Sequence, residues 1–203
     1  CNFFNPNLLM RFKIFKFESV TSTNDAAIKL IKEEKKEMGC VYAINQTKGR
    51  GTYGRKWVSD KGNLFGSIFF PLKDSYPPFN EFSTISPIII SNVIKHFCEK
   101  QKINLKFPND VLLNGKKICG ILQELITMNN RKFLIIGIGI NIVSNPNIKN
   151  KYQATNILLE AKKKPKIIEI LNLIIASYQK FFDDLNSYNY TDFKVKADVM
   201  ALN

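Results

Sequence analysis

The chain has 203 residues, 45% of them hydrophobic, with 30 Lys and Arg against 17 Asp and Glu, a formal net charge of +13. That length fits one domain with a substantial core. It holds no apolar run near the ~20 residues of a membrane span, and CNFFNPNLLM at the N-terminus is too interrupted by Asn and Pro for a secretory leader. The positive balance would suit nucleic acid. Much of it, however, is lysine dispersed over helical and loop positions such as Lys32, Lys35, Lys36 and Lys162 to Lys164, so nucleic-acid binding does not read as the main activity. Four cysteines (Cys1, Cys40, Cys98, Cys119) form no CxxC pair, and the single histidine, His96, sits beside Phe97 on a helix. Free thiols in a reducing cytoplasm fit this better than zinc or disulfides, and a Ser-His or Cys-His hydrolase is disfavoured.

In chain order, Arg11 to Phe17 (RFKIFKF) alternates as a strand, SVTSTN supplies capping residues, and Asp25 to Lys36 is an amphipathic helix. Strands follow at Val41 to Asn45 and Leu64 to Phe70, separated by a Gly-rich loop. A helix from Ser83 to about Lys100 precedes a short strand at Leu105 to Phe107. Asn114-Gly115 turns a hairpin between Asp110 to Leu113 and Lys117 to Leu125. A second hairpin at Met128 to Asn130 leads into the strand Arg131 to Val143, and Lys166 to Leu185 is a closing amphipathic helix. Strands joined mostly by hairpins predict an α+β fold: a mixed, largely antiparallel β-sheet with helices packed on it.

Five short segments carry the chemistry. Ser22-Thr23-Asn24 is either a helix N-cap or a set of ligand-facing groups, and nothing local decides between them. Gln46 to Trp57 (QTKGRGTYGRKW) places Gly49, Gly51 and Gly54 among two lysines and two of the chain's four arginines. Glycine backbone comes close to a ligand and its N–H groups suit anions; the guanidinium fork suits phosphate or carboxylate. The spacing is neither a P-loop nor GxGxxG. Lys106 to Asp110 (KFPND) reads as an Asx-type turn or as an amide and carboxylate suited to Mg²⁺ or a nucleotide phosphate. In KKICGILQE, Lys117 lies one hairpin from Asp110, and Gly120 marks a close approach to the strand. GIGIN reads as a tightly packed core strand or as a strand whose Gly137 and Gly139 leave a slot on one face, with Asn141 at its end.

Taken together and in this order, these segments resemble the catalytic domain of the biotin protein ligases, over roughly Phe12 to Asn186; lipoate ligases and octanoyl transferases share that fold. The resemblance implies activation of biotin with ATP and Mg²⁺ to biotinyl-5′-AMP, then transfer to a lysine of a biotin carboxyl carrier protein of the acetyl-CoA carboxylase type. Catalytic roles are implied for Arg50 and Lys117. Biotin would be held by Ser22, Thr23, Asn24, Gln46, Gly49, Arg50, Gly51, Thr52, Lys117, Gly120 and Gly139. The nucleotide would be held by Arg55, Trp57, Asn109, Asp110, Lys117 and Asn141, with Asp110 as the Mg²⁺ ligand. Thr52 departs from the family's GRGR pattern, in which an arginine latches the acyl-adenylate; Phe107 replaces a tryptophan. The implied organisation is an N-terminal extension over 1–11 without a DNA-binding domain, a catalytic domain over 12–190, and a C-terminal remnant over 191–203 in place of a small β-barrel. A homodimer is compatible with it. Three other readings stay open: attachment of lipoate or octanoate, a non-catalytic module that binds RNA or an acidic partner, and a degenerate ligase that binds biotin without turnover.

Overall fold

In a computed structural model of the protein, residues 12–146 and 153–202 are described; the expected N-terminal extension lies outside the described residues. Seven strands form one sheet: β1 (Lys13–Val20), β2 (Gly39–Gln46), β3 (Leu64–Pro71), β4 (Ile103–Lys106), β5 (Asp110–Leu113), β6 (Lys116–Met128) and β7 (Arg131–Ile140). Their order is β1-β2-β3-β7-β6-β5-β4, with β1 parallel to β2 and every other pair antiparallel. The helices are α1 (Thr23–Lys32), α2 (Phe82–Phe97), α3 (Ile157–Ala161), α4 (Ile167–Asp183) and α5 (Tyr190–Met200). The architecture is the expected α+β sheet. Among the described residues no helix is long and apolar enough to cross a membrane.

Period-two alternation in the central strands sorts the core onto two faces. Phe69 of β3 and Phe133 and Ile135 of β7 pack with Ala27, Leu30 and Ile31 of α1 on one face. Leu64, Ile68, Phe70, Leu134, Ile136, Ile138 and Ile140 point to the other face, which α2 and α4 cover. All eight residues of β3 are buried for this reason. Around Phe70, the rings of Phe82 and Phe182 stand 5.6 and 4.8 Å away, near the offset and edge geometries that aromatic pairs favour.

Several boundaries differ from the periodic expectation. Helix α1 stops at Lys32 because the Glu33–Lys36 run carries no apolar anchor; Lys35 turns left-handed at φ 55°, and the Lys36 N–H returns to the Leu30 carbonyl. Helix α2 begins at Phe82, a residue before Ser83, whose hydroxyl donates to the Asn80 carbonyl. The short α3 is capped by Asn156, whose side chain accepts from the Leu159 N–H. Residues beyond 190, unassigned by periodicity, form α5, which packs on α2 and β4; the Leu202 N–H also bonds the Leu105 carbonyl.

One row of cross-strand partners fixes the geometry of the α1 face: Phe65 opposite Gly139, Gly139 opposite Gly120, Gly120 opposite Asp110, and Asp110 opposite Lys106. Where β7 leaves this row, buried Asn63 holds it. Its Oδ1 accepts from the N–H groups of Ile142, Val143 and Ser144, at 2.9, 3.1 and 3.3 Å, and its Nδ2 donates to the Ser144 carbonyl. Replacing Asn63 by Ala strands these groups, and unfolding in urea is expected to show a loss of about 2–4 kcal/mol. Asn63→Asp, which keeps an acceptor oxygen, should lose less; equal losses would show that the three N–H groups are not the source.

Candidate active site

On the α1 face, three glycines leave the sheet without side chains, and each gap is filled. A Cβ on Gly137 would fall 2.5 Å from Oδ1 of Asn24, one on Gly139 2.4 Å from Cζ2 of Trp57, and one on Gly120 2.6 Å from Cζ3 of the same ring. Trp57 therefore lies flat along the bare backbone of β6 and β7. Its indole N–H is buried with no hydrogen-bond partner among the described residues. A cavity of about 410 Å³ opens around it, lined by α1, the Gly-rich loop, KFPND, Lys117 and the ends of β6 and β7. That is the size range of small-ligand sites.

The start of α1 forms a polar wall. The Ser22 side chain accepts from the Asp25 N–H at 3.1 Å and caps the helix. Gln46 accepts the Thr23 N–H through Oε1 at 2.8 Å and donates through Nε2 to Ser59 at 3.0 Å, so it braces the loop against the helix. Buried Ser67 of β3 has its hydroxyl 2.8 Å from Thr23 Oγ1 and 2.6 Å from Asn24 Oδ1. Asn24 in turn donates to Glu124 at 2.6 Å.

The loop itself is a small hairpin, not a phosphate loop. The Gly51 N–H bonds the Arg55 carbonyl and the Trp57 N–H the Gly49 carbonyl, with a 3-10 turn over Thr52–Gly54 at the tip. Gly49 is packed so closely that a Cβ would lie 2.7 Å from the Trp57 carbonyl oxygen. Tyr53, at φ 56°, is 86% exposed at the tip, and Arg55 and Lys56 are exposed beside it. Arg50 turns inward. Its Nη2 contacts Asp25 at 2.7 Å and Glu124 at 2.9 Å, and its Nη1 contacts Glu124 at 3.0 Å. Thr52 Oγ1 accepts from Asn109 Nδ2 at 3.1 Å, tying the tip to KFPND.

At the far end, the β5–β6 hairpin brings Lys117 Nζ to 2.7 Å from Asp110 Oδ1, as the Asn114-Gly115 turn predicts. The same ammonium stands 5.5 Å from the centre of the Trp57 ring. Both polar groups of the Lys117 main chain are tied to the 153–155 segment: its N–H bonds the Gln153 carbonyl, and its carbonyl accepts from the Thr155 N–H. Asn141 is buried and donates to the Thr155 carbonyl at 3.0 Å, so it secures the segment that grips Lys117. Thr155 also donates to Glu160. Burial pushes the Glu160 pKa up, but hydrogen bonds from Thr155, Asn114 and Lys116, with the Lys116 charge, outweigh it and hold the carboxyl below its ordinary range.

Every expected site residue except Gly49 thus lines one cavity; Gly49 is packed inside the loop instead. Ser22, Gln46 and Asn141 spend side-chain atoms on holding the walls, and Arg50 is engaged by carboxylates. The sequence reading missed Ser67, Asp25 and Glu124. The last was legible: Gly120, Leu122 and Glu124 share a face by period two. No cluster of three His, Cys, Asp or Glu side chains able to hold a metal exists among the described residues. One carboxylate, Asp110, faces the cavity beside Lys117, which suits a Mg²⁺ ion carried mainly by substrate phosphates.

The chain is similar to known ligases over most of its length. The bifunctional ligase/repressor BirA of Bacillus subtilis is 29% identical over 188 residues, 90% of this chain and 58% of that protein; the chain thus spans under two thirds of its length. A biotin protein ligase from Leishmania major, solved in complex with biotin, superimposes with a TM-score of 0.79 at 26% identity, covering 94% of this chain and 82% of that one. A biotin protein ligase from Aquifex aeolicus, solved with biotin and ATP, gives a TM-score of 0.77 at 27% identity, covering 94% and 78%. Residues 16–141, more than half of the sequence, match the family model, and the chain belongs to the biotin/lipoate A/B protein ligase family.

Proposed function

We propose that the protein joins biotin to ATP, forming biotinyl-5′-AMP with release of pyrophosphate, and passes the biotinyl group to a lysine of a biotin carboxyl carrier protein in the cytoplasm. The observation that carries this reading is the convergence of Lys117, Arg50 and a glycine strip covered by Trp57 in one cavity. In the first step a carboxylate oxygen attacks the α-phosphorus and the bond to the β-phosphate oxygen breaks. Two anions must meet, so cations must stand where they meet. Each donor aimed at the developing charge lowers the barrier by about 3 kcal/mol, and holding both reactants together contributes ~7–11 kcal/mol. In the second step the lysine nitrogen attacks the acyl carbon, AMP leaves and the amine proton is lost.

Lys117 is the bridging cation. The hairpin and the Gln153–Thr155 grip fix its main chain, and Asp110 is near enough to keep its ammonium at the cavity wall. Once Trp57 lifts off Gly120 and Gly139, the biotin rings would take its place along them, with Thr23 and Asn24 offering polar groups to the ureido head. Asn109, Asp110 and the exposed Arg55 would face the nucleotide, and Mg²⁺ would sit on its phosphates within reach of Asp110. The two solved ligases hold biotin, and one of them ATP as well, on the same fold.

Thioester chemistry fits less well. Cys40, Cys98 and Cys119 are buried and unpaired. Burial pushes the thiol pKa of Cys98 up to about 11, that of Cys40 to about 12 and that of Cys119 higher still. None of the three supplies a thiolate near neutral pH.

Biotin-dependent exchange of labelled pyrophosphate into ATP is the direct test, and a panel of biotin, lipoate and octanoate identifies the acid. Lys117→Ala is expected to lose exchange by about 100-fold or more; normal exchange in that variant would remove Lys117 from the proposed role. Thr52 spends its hydroxyl on Asn109, where an arginine would reach over the acyl-adenylate. The escape of biotinyl-AMP, followed by filter binding, should therefore be slower in Thr52→Arg than in the unaltered protein. No difference in escape rate would refute that role for position 52.

A further inference from the structure

Arg50 is held by Asp25 and Glu124, carboxylates from two elements remote from each other in sequence. Both Nη2 contacts are short, 2.7 Å to Asp25 Oδ1 and 2.9 Å to Glu124 Oε2, and Nη1 reaches Glu124 Oε1 at 3.0 Å. The two carboxylates are themselves held. Thr21 donates to Asp25 Oδ2 at 3.0 Å, and Asn24 donates to Glu124 Oε2 at 2.6 Å. The Gly-rich loop is thereby pinned to α1 and to β6.

A guanidinium carries five N–H donors, two on each Nη and one on Nε. Both Nη2 hydrogens and one Nη1 hydrogen are spent here, and what remains, one Nη1 hydrogen and the Nε–H, cannot offer a phosphate the paired Nη1–Nη2 edge. The local charge is one cation against two anions, a net of −1, so an approaching polyphosphate meets repulsion until Arg50 swings toward it. The side chains of Arg50, Asp25 and Glu124 are 41%, 40% and 25% exposed, and contacts this wet are weak enough to be exchanged.

We infer that Asp25 and Glu124 are positioning residues that park Arg50 and the loop, and that they compete with the anionic nucleotide for the guanidinium. The inference rests on the ligase reading only for the identity of that anion. It requires that removing either negative charge strengthens binding of the nucleotide while loosening the loop. A purely structural role would weaken both or neither.

The test uses Asp25→Asn and Glu124→Gln, each of which keeps an oxygen for its Thr21 or Asn24 partner. Binding of Mg·ATP is titrated by calorimetry, and trypsin cleavage at Arg50, Arg55 and Lys56 is timed without nucleotide, with thermal melting as a check on folding. Each variant is expected to bind Mg·ATP about two- to fivefold more tightly, the range for one exposed ion pair, and to be cut faster in the loop. Unchanged or weaker Mg·ATP binding in both variants overturns the competition, and unchanged cleavage overturns the parking of the loop. An unaltered protein that binds Mg·ATP but forms no adenylate would remove the ligase reading and leave the competition standing.

Discussion

A strip of sheet with no side chains decides where everything else in this site can stand. Gly139 and Gly120 are partners across β7 and β6, and the backbone they expose is where the Trp57 indole lies on the α1 face. With Trp57 on that strip, the loop that carries it must run from the end of β2 toward KFPND, which sets Arg50 inward and Thr52 against Asn109. The register continues the row to Asp110 and Lys106, so the reactive end of the cavity is positioned by the same ladder. A side chain larger than hydrogen at either glycine would lift the indole and, with it, the whole loop.

Within that frame the two inner cations differ in kind. Lys117 belongs to a strand, both polar groups of its main chain are bonded, and its carboxylate partner sits on the neighbouring strand. Arg50 belongs to a loop, and its partners come from a helix and a strand. Fixed charge suits a group that must register two reactants, because no reorganisation is then needed when charge develops. Exchangeable charge suits a group that must admit one anion and release another. The point-charge lysine and the forked arginine match these duties chemically as well.

Much of this was legible from residue types and spacing. The Asn114-Gly115 turn predicts the Asp110–Lys117 pair, and period two in GIGIN allows the slot. What fills the slot was harder to read, because Trp57 reaches Gly139 across 82 positions and only the register brings them together. Local rules left Ser22 between a cap and a ligand-facing group until the Asp25 N–H contact showed the cap, and they gave no sign of the brace formed by Gln46, whose partners are Thr23 and Ser59. Helix α5 was missed because it buries Ala197 and little else fully along its length; Phe193 and Tyr188 hold it instead, against Phe181. The carboxylates around Arg50 went unnoticed for a related reason, as one sits 25 residues away and the other 74.

The same ladder that makes the site rigid also limits how it can respond to a ligand. Hairpin strands shift together, so Asp110, Lys117 and Gly120 form one body, and Asn63 and Asn141 tie the exit of β7 into it. The polar wall of α1 is fastened to β3 through Ser67 and to β6 through Asn24. Of the elements that face the cavity, the Gly49–Trp57 hairpin is held by side chains and not by the sheet: Arg50 at its carboxylates, Thr52 at Asn109, and Trp57 on the glycine strip beside Lys117. Under the proposed reaction Arg50, Asn109, Gly120 and Gly139 would also meet the ligands. Under that reading ligand contacts and loop contacts draw on the same few atoms, and it is the loop, held by no sheet, that would have to rearrange.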